Sequence, residues 1–169
     1  EDALQGAMDI IAEDVADDPK VRGWVRDHTR RNSYLVTKAK DFEKDSVYEM
    51  YYDFKEPLSK VPSHRVLAIN RGEREEFLQV AVIADPEPVL SWLNKNYVKE
   101  NSITTDLVKR AVADAYKRLI APAIERELRG ELTEKASEQA IIVFSKNLRS
   151  LLLQPPVRGK MVLGVDPAY

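Results

Sequence analysis

The sequence predicts a mainly α fold: a multi-helix array with one long C-terminal helix, a short two-stranded β ribbon, and a terminal strand from a truncated α/β domain. Three observations predict it. Apolar residues recur at three- and four-residue spacing through most of the chain. Glycine occurs only 6 times in 169 residues, too rarely for an all-β fold full of tight turns. Only two short runs, at 33–39 and 77–84, alternate with a period of two. Apolar residues make up 44% and charged residues 32%, a mix that buries a core and keeps a solvated surface, so disorder across the whole chain is excluded.

Over residues 3–16, Leu4, Ala7, Met8, Ile11, Ala12 and Val15 form one apolar helix stripe. Asp17-Asp18-Pro19 ends it and starts the next element, with Asp18 as N-cap and Pro19 in the first helical position. Val21, Trp24, Val25 and His28 then line one side of a short helix over 21–30. In 33–39, Tyr34 and Val36 alternate with Leu35, Thr37 and Ala39; in 77–84, Leu78, Val80 and Val82 alternate with Gln79, Ala81 and Ile83. These runs are expected to pair as a ribbon, which needs helices beneath it because two strands alone are marginal. Between them, Val47, Tyr48, Met50, Tyr51, Tyr52 and Phe54 predict an aromatic-rich short helix over 45–54, ended by Pro57. Ser63 is expected to N-cap the next helix, with Val66, Leu67 and Ile69 buried and Gly72 as its C-terminal cap.

Asp85-Pro86 repeats the cap-plus-proline signal, and Val89, Leu90, Trp92, Leu93 and Tyr97 follow at helical spacing. Thr104-Thr105-Asp106 opens the most regular helix, marked by Leu107, Val108, Ala111, Val112, Ala115, Leu119 and Ile120. Pro122 is expected to kink or restart it. An apolar seam then runs through Ile124, Leu128, Leu132, Ala136, Ala140, Val143 or Phe144, Leu148 and Leu151 to Leu153. Residues 122–153 make a rod of roughly 45–50 Å at 1.5 Å per residue, a length suited to bracing several partners. The stretch 154–159 breaks the pattern, and 160–166 reads as a buried strand. The domain division expected is therefore a helical scaffold region over 1–153, then a linker and first strand of a truncated domain over 154–169. Both ends read as cut from a longer chain.

The chemistry the sequence offers is sparse. The absence of cysteine excludes disulfides, thiolate metal sites and a cysteine nucleophile, and fits a reducing cytoplasm. No apolar run approaches the length of a membrane span. The net charge of −2 exerts no global pull on nucleic acid. Its distribution is uneven: residues 1–18 carry seven acids and no Lys or Arg, whereas 19–74 carry 13 Lys/Arg against 8 Asp/Glu. That basic stretch reads either as ordinary solvated helix faces or as a phosphate-binding surface. Glycines at 6, 23, 72, 130, 159 and 164 allow neither GxGxxG nor a Walker loop. No metal-ligand cluster surrounds His28 or His64, so no metal, cofactor or small-molecule substrate is expected.

His28 reads as structural or solvent-facing. His64 lies at a helix start in Pro62-Ser63-His64-Arg65, where the residues can hold a phosphate or simply pin a turn against Tyr51 or Asp53. Ser63 and His64, as sequence neighbours, do not form a nucleophile–base pair. The charged residues from Glu125 to Glu138 read as salt-bridge lacing on a solvated rod face. The aromatics Tyr48, Tyr51, Tyr52 and Phe54 can stack bases, but at helical spacing they read first as core. Asp166 ends an apolar run as Gly-Val-Asp-Pro, which places a carboxylate at the carboxyl end of a strand. Two-metal phosphodiester chemistry needs several such carboxylates, and this stretch supplies one.

Several runs together resemble the Tex (YhgF) family. They are ALQGAMDIIAE from Ala3, Tyr52-Asp53-Phe54-Lys55-Glu56-Pro57-Leu58, Pro62-Ser63-His64-Arg65 with Arg71-Gly72-Glu73, Asp114-Ala115-Tyr116-Lys117-Arg118-Leu119, Asn147-Leu148-Arg149 with Leu152-Leu153 and Pro155-Pro156, and Val162-Leu163-Gly164-Val165-Asp166-Pro167. They span essentially the whole chain, in order. The resemblance implies a large, multidomain, mostly helical cytoplasmic protein that binds nucleic acid in transcription. Such a protein combines an N-terminal helical region, a YqgF-type ribonuclease-H-like domain, helix-hairpin-helix elements and a C-terminal OB-fold RNA-binding domain. This chain then corresponds to the helical region leading into the YqgF-like domain, and Asp166 matches the first-strand acid of resolvase-like nucleases.

The function expected is a non-catalytic helical scaffold, with RNA or DNA bound through the full-length protein and transcription machinery as a further partner. His64, Arg65 and Arg71 are the candidate nucleic-acid contacts. Two alternatives stand beside it: part of a ribonuclease-H-like nuclease with Asp166 as metal ligand, and an interaction module docking transcription or ribosome components.

Overall fold

The computed structural model describes residues 2–155, 158–161 and 163–166. The first helix, α1 (Asp2–Asp17), buries Ala12, Val15 and Ala16. They pack against α5 (Thr105–Asp114) and the π-helical segment Ala115–Ile120 that continues it. The acid–proline signal works as expected at the start of α2 (Pro19–Asn32): an Asp18 carboxylate oxygen accepts the Lys20 N–H at 2.8 Å. Its other oxygen accepts the Tyr97 hydroxyl at 2.5 Å from the end of α4 (Glu87–Tyr97), so one carboxylate caps one helix and ties down another.

That hydrogen bond from Tyr97 is the main reason the Asp18 carboxyl lies below its usual range. Burial, reinforced by the same bond, pushes the Tyr97 phenol up to about 12. A depressed acid stabilises the fold above its unfolded pKa and loses that contribution as pH falls through the folded value. A raised phenol contributes fully below its ordinary value of 10 and loses the contribution as pH rises toward about 12. Asp18→Ala is expected to lower the thermal unfolding midpoint at neutral pH as a lost cap. It should also bring the phenol part of the way back toward 10 in an ultraviolet absorbance titration.

Three strands form one antiparallel sheet in the order β2-β1-β3, with β1 at Tyr34–Ala39, β2 at Asp53–Pro57 and β3 at Leu78–Ile83. The expected ribbon of β1 and β3 is present, with Leu35 opposite Val82 and Thr37 opposite Val80. The third strand replaces the expected helix over 45–54. Only a 3-10 turn at Glu49–Tyr51 forms there, and Phe54 enters the sheet opposite Thr37. The physical reason is tertiary. Thr37 donates its hydroxyl to the Tyr51 carbonyl, and Ala39 donates its N–H to the Tyr52 carbonyl at 2.8 Å. Backbone groups that a helix would use internally are thus taken by β1. Tyr48, Tyr51 and Tyr52 are buried, so the aromatic cluster is core, while Val47 and Met50 are exposed.

In α3 (Ser63–Arg74) the N-cap position falls on Pro62, not Ser63. The Ser63 hydroxyl is instead spent on Gln139, 76 residues away, and so does not close its own helix start. Gly72 is also not the cap. It lies inside the helix, buried, where an added Cβ would stand 2.7 Å from Leu78 Cδ1 and 3.1 Å from Tyr48 Cδ1. Close helix–strand approach explains this glycine. The left-handed residue after the helix is Glu76, at φ 63°, and Phe77 N–H closes the turn onto the Gly72 carbonyl at 2.9 Å.

The expected disturbance near Pro122 takes the form of the π segment, which precedes α6 (Ala121–Leu152). Proline lacks an N–H and crowds the carbonyl four residues back, and a widened turn absorbs both effects. The 32 residues of α6 span about 48 Å. Among the described residues of 160–166 the expected buried strand is not formed. Met161, Leu163 and Val165 are exposed, and no strand is assigned among the described residues there, with Val162 outside them. A strand needs a neighbour to satisfy its backbone, and none of the described residues of this segment pairs with the three-stranded sheet.

Candidate docking helix

The site is built from α6, whose two halves live in different surroundings. In the first half a row of residues at four-residue spacing faces the body. Ile124 is 2% exposed, Leu128 1% and Ala136 1%, with Leu132 partly buried. Polar contacts from two helices hold its flanks. On one side Arg26 Nε meets Glu127 at 2.7 Å and Arg30 meets Glu131 at 2.7 Å. Residue numbers rise together, so α2 runs parallel to α6. On the other side Glu73 pairs with Arg129, Asn70 donates to Thr133 at 2.8 Å, and Ser63 bonds Gln139. Here the numbers run in opposite directions, so α3 is antiparallel. Glu125 accepts the Val82 N–H at 2.8 Å, which closes part of the outer edge of β3.

The charges of residues 125–138 therefore reach neighbouring elements at several positions and do not simply lace a solvated face. Such half-exposed pairs add little individually, but they fix register between helices.

The clasp ends where α3 begins. Ser63 is the first residue of α3 and Gln139 is its partner on α6, so no further α3 turn exists to cover the next turn of α6. From residue 138 to 153 every position is exposed. Yet the four-residue row continues through Ala140, Phe144, Leu148 and Leu152, with Phe144 66% and Leu152 74% exposed. Four successive apolar residues, Ile141 to Phe144, cover all sides of the helix and are each more than half exposed. Monomers rarely leave so continuous an apolar surface without a use for it. The sequence carried the signal in that change from a one-sided stripe to an all-round run. Which half of the rod would be covered depended on where α3 starts in space, which no local pattern reports.

The sequence-predicted nucleic-acid residues are not all available. His64 is exposed on α3, two turns from Arg71 on the same face. Arg65 pairs with Glu56 at 2.8 Å and lies over the Phe54 ring. Arg71 pairs with Glu75 at 2.8 Å, which holds the guanidinium above and the Glu75 carboxyl below their ordinary ranges. Both arginines would have to exchange a carboxylate for a phosphate. His28 stacks on Trp24 at 5.1 Å, and Trp24 stacks on Trp92 at 4.4 Å, so this imidazole joins a ring ladder between α2 and α4. Asp166 is exposed, and no group of three or more His, Cys, Asp or Glu is placed to hold a metal among the described residues. A cleft of about 420 Å³ opens beside the clasp, floored by Leu58, Val66, Leu128 and Leu132. No helix among the described residues is long and apolar enough to cross a membrane.

A family profile described as Tex central region-like matches residues 1–144. The chain is 49% identical over its whole length to an uncharacterized protein, YdcI, of Bacillus subtilis, of which it covers 24%. It is 34% identical over 98% of its length to Protein YhgF of Escherichia coli, covering 23% of that protein. It is also 34% identical over 97% of its length to the human S1 RNA-binding domain-containing protein 1, covering 18% of it. The chain thus spans about a quarter or less of the length of these relatives. With the helices, the sheet and the half-clasped rod in place, the profile and these relatives show that the chain belongs to the Tex family, as its central region.

Proposed function

We propose that this chain is a non-catalytic helical scaffold within a longer, cytoplasmic, nucleic-acid-associated transcription accessory protein, and that α6 braces the rest of that protein against the helical body. One observation carries the reading: α6 is clasped by α2 and α3 up to Gln139 and bare beyond it. Relatives named transcriptional accessory protein Tex and S1 RNA-binding domain-containing protein 1 support the nucleic-acid association. In this reading residues 1–153 are the scaffold and 154–169 lead into the next domain, whose first strand contributes Asp166.

The brace is tested by Phe144→Asp with Leu148→Asp in the full-length protein. The body is expected to keep its own stability, because both positions are exposed in it. Calorimetry should show one coupled transition of the full-length protein splitting into separate ones. An unchanged profile would remove the brace.

Nucleic-acid binding by the chain itself is proposed as secondary, through His64, Arg65 and Arg71. Fluorescence anisotropy with labelled single-stranded RNA at several salt concentrations should show a salt slope that falls by about 1 for each phosphate neighbour removed by reversing Arg65 or Arg71. No binding at low salt would leave recognition wholly to other domains.

A further inference from the structure

The two flanks of α2 treat their cations differently. On the flank that meets α6 each arginine finds an acid, Arg26 on Glu127 and Arg30 on Glu131. On the flank toward α4, Lys20, Arg31 and Lys95 make no ion pair among the described residues. The acids nearby are already engaged. Asp27 pairs with Arg30, while Asp18 accepts the Lys20 N–H and the Tyr97 hydroxyl. These three cations surround the ring ladder. Residues three and four apart on a helix are neighbours, so Lys20 lies one turn from Trp24, Arg31 one turn from His28, and Lys95 one turn from Trp92. Trp24 stacks within 11° of parallel on His28 and within 5° on Trp92, and none of the three residues is fully buried. Trp24 and Trp92 pack against the core, which leaves His28 as the outer end of the ladder. Asn32 steadies that end, with its Nδ2 3.3 Å from His28 Nδ1 and donating to the His28 carbonyl at 3.0 Å.

We infer that the ladder is a stacking platform for single-stranded nucleic acid, with a base on His28 and phosphates on Lys20, Arg31 and Lys95. Such strands are held by flat ring faces beside positive charge, and both are present here. The inference rests on the nucleic-acid association of the proposed function and gives it a contact separate from His64, Arg65 and Arg71. Arg65 and Arg71 must first give up a carboxylate, whereas the three cations at the ladder need not. Rings already held parallel cost little to order on binding. Lys20 and Arg31 stand about 16 Å apart along α2, so a run of phosphates serves both where a single phosphate serves one. A duplex keeps its base faces within its own stack. An acidic protein surface would match the cations but offer the imidazole no planar partner.

Trp24 and Trp92 are the only tryptophans of the chain, so its tryptophan emission reads this site. A short single-stranded oligoadenylate should quench that emission in the 169-residue chain. Inorganic polyphosphate, which has the charge without the bases, should not. His28→Ala should weaken oligoadenylate binding by about tenfold, and His28→Phe, which keeps a ring, should restore it. Reversing Lys20, Arg31 or Lys95 should lower the salt slope by about 1 each. In the full-length protein, an oligoadenylate carrying 4-thiouridine should photocrosslink within residues 19–32 or 87–97. Binding without quenching, lost on reversing Arg65 and Arg71, would overturn the platform and leave the His64 contacts standing. No binding at low salt would overturn both. Equal quenching by polyphosphate would overturn the stacked base. Quenching in the chain with no crosslink in the full-length protein would mean that another domain covers the ladder, and would overturn the inference.

Discussion

Leu128→Ala is expected to cost about 2–5 kcal/mol of stability, whereas Leu148→Ala, the same change on the same helix, should stay within about 0.5 kcal/mol. Both residues are leucine, both sit on the four-residue row of α6, and sequence patterning treats them alike. Leu128 is 1% exposed, at the junction of the clasp with the floor of the neighbouring cleft. Truncating it removes buried methyl groups and leaves a cavity that rigid helices on both sides cannot collapse. Leu148 is 40% exposed and lies beyond the last turn that α3 can cover. Chemical denaturation of the 169-residue chain separates the two cases. In the full-length protein the contrast should narrow, because the brace reading gives Leu148 a partner there.

Gly72→Ala should destabilise by about 1–3 kcal/mol, against the usual gain when alanine replaces glycine inside a helix. The new Cβ would stand 2.7 Å from a Leu78 methyl, and Leu78 is itself fully buried, so it cannot swing away into water. Tyr48, on the other side at 3.1 Å, is held by its hydroxyl on Glu75 at 2.7 Å. Four residues on, Glu76→Gly should do the opposite and stabilise by about 1 kcal/mol, because Glu76 holds a left-handed φ of 63° that costs a side-chain-bearing residue about that much. Thermal unfolding of the two variants reads both signs. A Gly72→Ala protein as stable as the parent would mean that α3 and β3 approach each other less closely than this packing requires.

These two positions also show where sequence reasoning succeeds and fails. The helix starts marked by acid and proline were legible because their chemistry is local: Asp18 caps α2 through a neighbour two residues away. The long rod was legible from its row of apolar residues, and its length follows from counting. Gly72 was misread because a glycine near a helix end has two explanations, backbone freedom and close packing, and only the position of Leu78 distinguishes them. Strand β2 was missed because Asp53–Pro57 carries a single large apolar residue, Phe54, and its strand character comes from pairing with β1. The arm of α6 was visible as composition but not as a surface. Its exposure follows from Ser63 meeting Gln139, an interaction across 76 residues.

The division of α6 at Gln139 underlies the brace, and the natural absence of cysteine makes it directly measurable. Single cysteines placed in turn at Leu132, Ala136, Ala140, Phe144 and Leu148 would be labelled with a maleimide in the 169-residue chain. A step is expected: slow labelling at Leu132 and Ala136, then rates close to those of an unfolded peptide from Ala140 onward. Slow labelling that continued through Leu148 would show the arm already covered within this chain and would contradict the division at Gln139.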